Sequence, residues 1–271
     1  MGVLNATPDS FSDGGRFFSM DDALAQGEQL VEDGADILDI GGESTRPFSD
    51  LVSIDEECRR VMPVIEALAH RISIPISIDT NKAEVARRAI DAGAAIINDI
   101  SAFQMDPEMP KVAARCNVPV IVMHMLGTPK TMQKRPEYND LLREIGTFLD
   151  RAIGTADKHG IPRSRVIIDP GIGFGKTLQH NLQLLSHLEE FASLDTPILI
   201  GTSRKAFIRK LIQGKSEVEP QPDSREVETG TQASVAAAIL NGAHIVRVHD
   251  VANTRKTACI VDAILNAENP G

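Results

Sequence analysis

Residues 33–40 read DGADILDI, residues 92–99 read AGAAIIND and residues 241–248 read NGAHIVRV. All three run in the same order: the end of an amphipathic stretch, a Gly, an Ala, then a short apolar run. A Gly in that place supplies the left-handed residue that ends a helix. The Ala permits close packing, and the Ile/Val-rich run that follows has the composition of a strand. Three helix-to-strand joints with one signature form a weak internal repeat of strand–helix units.

Working outward, the same alternation covers the chain. Candidate strands are 2–5, 36–40, 74–79, 95–99, 118–123, 165–169, 197–201 and 244–249. Helical windows lie between them at 21–33, 55–70, 82–92, 106–116, 138–159, 179–191, 204–212 and 229–241, with a last one near 252–266. Within 55–70, Val61, Ile65, Leu68 and Ala69 keep helical spacing, and Asp21 and Asp55 read as caps or first-turn acids. Short, almost wholly apolar strands alternating with helices predict a parallel sheet covered by helices. Eight strands are the closing number of a (β/α)8 barrel, the TIM barrel, here as a single domain over 1–271. A doubly wound open sheet is the alternative. Segments 5–19, 42–54, 125–137 and 213–228 are expected to be the mobile ones.

The 271 residues are 42% hydrophobic and 24% charged, which suits a soluble globular chain and excludes a disordered or collagen-like one. A net charge of −10 argues against nucleic acid as a partner, and the chain has no Trp and one Tyr, Tyr138, for base stacking. No apolar run approaches the roughly 20 residues of a membrane span, and the opening MGVLNATPDS, with no basic stretch and no apolar core, is not expected to act as a signal peptide. Three scattered cysteines, Cys58, Cys116 and Cys259, predict reduced thiols and a cytoplasmic location.

In a parallel barrel, site residues sit at the C-terminal ends of the strands. The polar residues of this chain gather there: Asn5, GGESTRP at 41–47, Asp79-Thr80, Asn98-Asp99, Met123-His124, Asp169, GTSRK at 201–205 and Arg247 to Asp250. Strand alternation puts Arg247 and His249 on one face. Asp79, Asn98 and Asp169 suit a flat heterocycle rich in N–H donors, such as an aminopyrimidine. Arg46, Arg204, Lys205, Arg247 and His249 suit carboxylate or phosphate. The picture is a donor-reading floor under an anion-binding rim. Two other features carry less. DPGIGFGKT at 169–177 ends like a phosphate-cradling loop but has Pro170 where that motif requires Gly. His124 lacks companions at transition-metal spacing, whereas Mg2+ needs few protein ligands.

On GVLNATPDSFSDGG (2–15), GGESTRP (41–47), SIDT (77–80), INDIS (97–101), VMHMLGTPKTMQ (122–133), DPGIGFGKT (169–177), GTSRKAF (201–207) and RVHD (247–250), the chain resembles the dihydropteroate synthase family over almost its full length. The resemblance implies condensation of 6-hydroxymethyl-7,8-dihydropterin pyrophosphate with p-aminobenzoate. Carried over by motif, Asp79, Asn98, Asp169 and Lys205 bind the pterin, and Asn5, Arg247 and His249 hold the pyrophosphate, Asn5 also touching Mg2+. Thr45, Arg46, Pro47, Phe174 and Ser203 line the p-aminobenzoate side, with Met123 also among the substrate contacts. Asp79, Asp169, Lys205, Arg247 and His249 are the catalytic candidates. Loops 5–19 and 42–54 are implied to close over the reacting centre.

The family is also homodimeric through its late helices. The Ala-rich stretch 233–239 offers such a face, although an ordinary buried helix explains those alanines equally well. Two departures are expected to matter. Phe48 stands where the family has Gly, which predicts a stiffer loop or a covered p-aminobenzoate pocket, and with it altered handling of sulfonamides. Strand 1 begins at Met1-Gly2, where members carry a few residues more, which predicts a shortened start. A methyltetrahydrofolate-dependent methyltransferase shares the Asp–Asn–Asp set but has no need of GTSRK with RVH. An inactive pterin-binding subunit would be expected to lose Arg46, Lys205, Arg247 or His249, and all are retained.

Overall fold

The computed structural model describes residues 1–6, 20–44 and 52–267. Strands β1 (Gly2–Asn5), β2 (Leu38–Gly41), β3 (Ile76–Asp79), β4 (Ile96–Asp99), β5 (Val120–Met123) and β6 (Val166–Asp169) are hydrogen-bonded in that order, all parallel. Strands β7 (Leu199–Ile200) and β8 (Ile245–Val246) form a second parallel pair. Single bridges, Ile168 to Ile198 and Gly2 to Val248, join the two sheets at both seams. The Val3 N–H donates to Val248 O at 3.0 Å, and the Val248 N–H donates to Met1 O at 3.0 Å. The eight strands therefore close into a ring, with β1 bonded to β2 along its length and to the β8 side at Met1–Val3.

Helices α1 (Met20–Glu32), α2 (Ile54–Ala69), α3 (Ala83–Asp91), α4 (Met109–Cys116), α5 (Leu141–Lys158), α6 (Leu178–Ser186), α7 (Ala206–Gln213), α8 (Arg225–Leu240) and α9 (Val251–Ala267) connect them. The joints read from the repeat hold: Gly34, Gly93 and Gly242 have φ of +96°, +114° and +99°. Several expected limits shift, three helix windows among them. The window 179–191 is α6 followed by a 3-10 segment at Leu188–Leu194. The window 106–116 begins only at Met109. Helix α8 begins inside the segment read as a loop, because the Ser224 hydroxyl caps it by accepting from the Val227 N–H.

Strand alternation sorts the barrel into layers. Outward-facing Leu38, Ile40, Ile78, Ile97, Val120 and Ile168 pack under the helices in one large core. Inward-facing Ile96, Ile121 and Leu199 meet Met1 in a separate cluster that fills the lower barrel, with Ile37, Ile167 and Ile245 against it. Two residues further along each strand the same inward face carries Asp39, Asn98, Met123, Asp169, Gly201 and Arg247. A period of two thus places a polar layer directly above an apolar plug. No helix among the described residues is long and apolar enough to cross a membrane.

Candidate active site

Parallel register sets the polar layer side by side. Asn5 lies opposite Gly41, Gly41 opposite Asp79, Asp79 opposite Asn98, and Met123 opposite Asp169. Arg247 reaches across the ring from β8, its Nε donating to Asp39 at 2.6 Å and its Nη2 to Asp79 at 2.8 Å. The Asn98 amide donates to Asp39 at 3.2 Å. Asp169 accepts from the Gly171 N–H at 2.7 Å. Lys205 donates to the Ile172 carbonyl and sits 4.7 Å from the Phe174 ring centroid. After β7, the Ser203 hydroxyl lies 2.9 Å from Nδ1 of His249.

Burial dominates the electrostatics. It pushes Asp79 up to about 7, against the pull of Arg247. It raises Asp169, against Lys205, and lowers Lys205 to about 8, against Asp169. For Arg247, burial is outweighed by Asp39 and Asp79, which hold the guanidinium charged. The floor and rim expected from sequence are therefore one interleaved network: Asp39 and Asp79 pair with Arg247, Asp169 feels Lys205, and Arg247 belongs to both sets.

The loop after β6 is pinned along its length. Gly173 O accepts from Gln133 at 2.6 Å, Phe174 O from Lys176 at 3.0 Å and Gly175 O from the Tyr138 hydroxyl at 2.8 Å. Gly171 has φ +74°, and a Cβ there would lie 1.9 Å from the His124 carbonyl, so only Gly fits. Lys176 is 3% exposed, with its Nζ 2.9 Å from His124 Nδ1. The lysine of the phosphate-loop look-alike thus points into protein.

Beside Asp79 lies a cavity of about 220 Å3 lined by Glu43, Glu57, Thr80, Ile100, Met105 and Lys130, among others. Lys82 bridges two of its lining carboxylates. It donates to Glu43 and, at 2.6 Å, to Glu57, which is fully buried. Glu43 also accepts the Val52 N–H at 3.3 Å. Lys82→Met leaves two buried carboxylates facing each other. A fully buried pair broken this way costs about 3–5 kcal/mol. With Lys82 still 18% exposed, the expected loss is about 2–3 kcal/mol, read from urea unfolding.

Among the residues named from sequence, the structure brings Asp79, Asn98, Asp169, Lys205 and Arg247 together at one barrel mouth, with Met123 and Phe174 in an apolar cluster with Ile100, Met125 and Met132. Ser203 and His249 form a second contact at the end of β7. Arg204 has φ +61° and stands before α7, so the helix expected over 204–212 begins only at Ala206. Thr45, Arg46, Pro47 and Phe48 lie outside the described residues, as do most of loops 5–19 and 42–54. Sequence reading missed Asp39, Lys82 and Glu57, and it left Lys176 and His124 unassigned. An acid in the middle of the apolar strand ILDI is the signal that would have found Asp39, because a buried charge needs a partner.

Asn5, partly buried at the end of β1, presents a neutral amide oxygen, the hard donor that Mg2+ accepts while keeping waters and phosphate oxygens for its other positions. Among the described residues no group of three His, Cys, Asp or Glu is placed to hold a metal. A single neutral amide oxygen fits a hard cation whose other positions are filled by water and phosphate oxygens.

The family profile of the pterin binding enzymes matches residues 1–249. The dihydropteroate synthase of Synechocystis is 47% identical over 264 residues, covering 97% of this chain and 89% of its own. A Yersinia pestis dihydropteroate synthase solved with a sulfonamide drug superposes with a TM-score of 0.91 at 44% identity, over 98% of this chain and 93% of that one. The Xanthomonas albilineans enzyme in complex with 7,8-dihydropteroate gives a TM-score of 0.85 at 41% identity, over 97% and 92% of the two chains. With a profile spanning the barrel, near-full-length identity above 40% and TM-scores of 0.85 and 0.91 against solved structures, this chain belongs to the dihydropteroate synthase family of pterin-binding enzymes.

Proposed function

We propose that this protein joins 6-hydroxymethyl-7,8-dihydropterin pyrophosphate to p-aminobenzoate, releasing pyrophosphate and forming 7,8-dihydropteroate. The observation that carries this reading is the set Asp79, Asn98 and Asp169, all on the inward face at one level of the barrel and flanked by Lys205 and Arg247. The carboxylates accept from the N–H edge of the pterin, and Asn98 can both donate and accept. Its amide is already held by Asp39, which fixes its orientation.

The reaction breaks the bond between the pterin methylene carbon and the pyrophosphate oxygen, and the electron pair leaves with pyrophosphate. Asp79 and Asp169 stabilise the positive charge that spreads into the ring, and Arg247 and His249 stabilise the departing anion. Two of the five N–H donors of Arg247 are committed to Asp39 and Asp79, and its fork has others to offer a phosphate. The aniline nitrogen of p-aminobenzoate then attacks the methylene carbon and loses a proton. Lys205, seated on Phe174, and Ser203 are assigned to the substrates' junction, and Thr45, Arg46 and Pro47 to the p-aminobenzoate side. Mg2+, held by Asn5 and the substrate's own phosphates, would neutralise charge on the leaving group. The barrel is read as the single domain of the chain. Leu240, Ile260 and Ile264, exposed on α8 and α9, support a homodimer through these helices.

The test is conversion of the two substrates by the purified chain with Mg2+, with dihydropteroate identified by mass. The pH profile refines it. Asp79 must be ionised to accept, and Lys205 protonated to supply charge. Hence kcat/KM for the pterin pyrophosphate is expected to fall below about 7 as Asp79 protonates and above about 8 as Lys205 loses its proton. Lys205→Met should lower kcat/KM at neutral pH and flatten the alkaline limb while the acid limb stays in place.

A further inference from the structure

We propose that Lys176 and His124 are a positioning pair that fixes the backbone of Phe174, and with it the ring against which p-aminobenzoate lies. The inference rests on the functional reading above for the identity of that substrate.

A lysine is almost never fully buried unless something holds it. Lys176 is, and its hydrogen bonds run to His124 Nδ1 at 2.9 Å and to Phe174 O at 3.0 Å. His124 is fixed in turn. Its backbone N–H donates to Asp169 O at 2.9 Å, and its ring packs edge-on against Phe148 at 4.8 Å. The amine therefore bridges strand β5 to the loop after β6. Burial pulls both bases below their ordinary values.

Phe174 lies between two Gly residues of positive φ, Gly173 at +83° and Gly175 at +66°, which leaves its own backbone conformation to be set by hydrogen bonds. Its ring in turn carries the Lys205 ammonium. Without Lys176, the Phe174 carbonyl and His124 Nδ1 both lose a buried partner, and the cost is met by movement of the loop.

The protein supplies its own reporter. Tyr138 is the only Tyr and there is no Trp, so intrinsic emission comes from one ring. That ring donates its hydroxyl to Gly175 O and stands 6.1 Å from the His124 ring. The experiment compares wild type with Lys176→Met, His124→Leu and His124→Asn, the last keeping a side-chain acceptor. Lys176→Met and His124→Leu are expected to raise KM for p-aminobenzoate about tenfold, the loss of one hydrogen bond's worth of positioning. KM for the pterin pyrophosphate should stay within about twofold. Acrylamide quenching of Tyr138 should increase in both variants, and His124→Asn should restore both readouts toward wild type. The proposal requires the selective KM change together with the Tyr138 change. Absence of either, or a parallel change in both KM values, overturns it. Should Lys176→Met not fold, His124→Leu carries the same comparison. If wild type makes no dihydropteroate, the functional reading falls, and Tyr138 quenching alone decides whether the pair holds the loop.

Discussion

Asp79→Asn is expected to remove most turnover and yet to make the folded protein more stable at pH 8. The two effects have one cause. Burial pushes the Asp79 carboxyl up to about 7, against the pull of Arg247. Its folded value lies above its unfolded one, so between about pH 4 and pH 7 the folded chain binds more protons than the unfolded chain. Stability contributed by this group therefore falls as pH rises through that window, and the penalty is complete above it. Asn carries no such penalty, and Arg247 keeps its bond to Asp39. The melting temperature of the variant should exceed that of wild type at pH 8, and the gap should close near pH 4. In catalysis the same charge faces the ring that becomes positive. Removing a preorganised group of this kind typically costs about 10²–10³ in rate, the expected loss in kcat/KM. Thermal scans across pH beside steady-state kinetics check both halves. A variant less stable than wild type at pH 8, or one that keeps its rate, would remove Asp79 from this role.

Arg247→Met should act in the opposite sense on stability. Arg247 is the shared cation of Asp39, which is fully buried, and Asp79, which is 10% exposed. Taking it away strands two carboxylates inside the barrel. Breaking a buried pair from one side costs about 3–5 kcal/mol, which for a chain of this size is a fall in melting temperature of roughly 10 °C. Without the guanidinium, the Asp79 carboxyl loses the interaction that opposes burial, and its value rises further. The deficit should therefore be larger at pH 8 than at pH 5, where Asp79 takes up a proton. Turnover should fall as well, by about 10²-fold, since the leaving pyrophosphate loses its cation. Adding Asp79→Asn to Arg247→Met should recover part of the stability and none of the activity, a non-additivity expected of residues in direct contact. Equal deficits at both pH values would contradict this account of the network.

Much of this site was legible in the sequence because strand parity is a local rule. Alternation put Arg247 and His249 on one face, and the rule that barrel sites lie at the C-terminal strand ends brought in Asp79, Asn98 and Asp169. The Gly34, Gly93 and Gly242 joints gave the direction of each unit. What alternation does not reveal is pairing across the ring. Arg247 and Asp39 are 208 residues apart in sequence and 2.6 Å apart in the fold. The Lys82 bridge to Glu43 and Glu57 and the Lys176 bridge to His124 likewise join residues distant in sequence, brought close by the pairing of β2 with β3 and of β5 with β6. Helix limits failed for a different reason. The apolar spacing of 179–191 continues through a change from α-helix to 3-10 helix, and periodicity does not register the change. At 213–228, polar composition hid the Ser224 cap and the acidic first turn that follows it.

Pyrophosphate release by the purified chain, followed with Mg2+ and the pterin pyrophosphate in the presence and absence of p-aminobenzoate, tests the central claim most directly. The account predicts release that depends on p-aminobenzoate and matches dihydropteroate formed, mole for mole. Tight pterin binding with no p-aminobenzoate-dependent release would contradict it and leave a pterin-binding barrel without synthase chemistry.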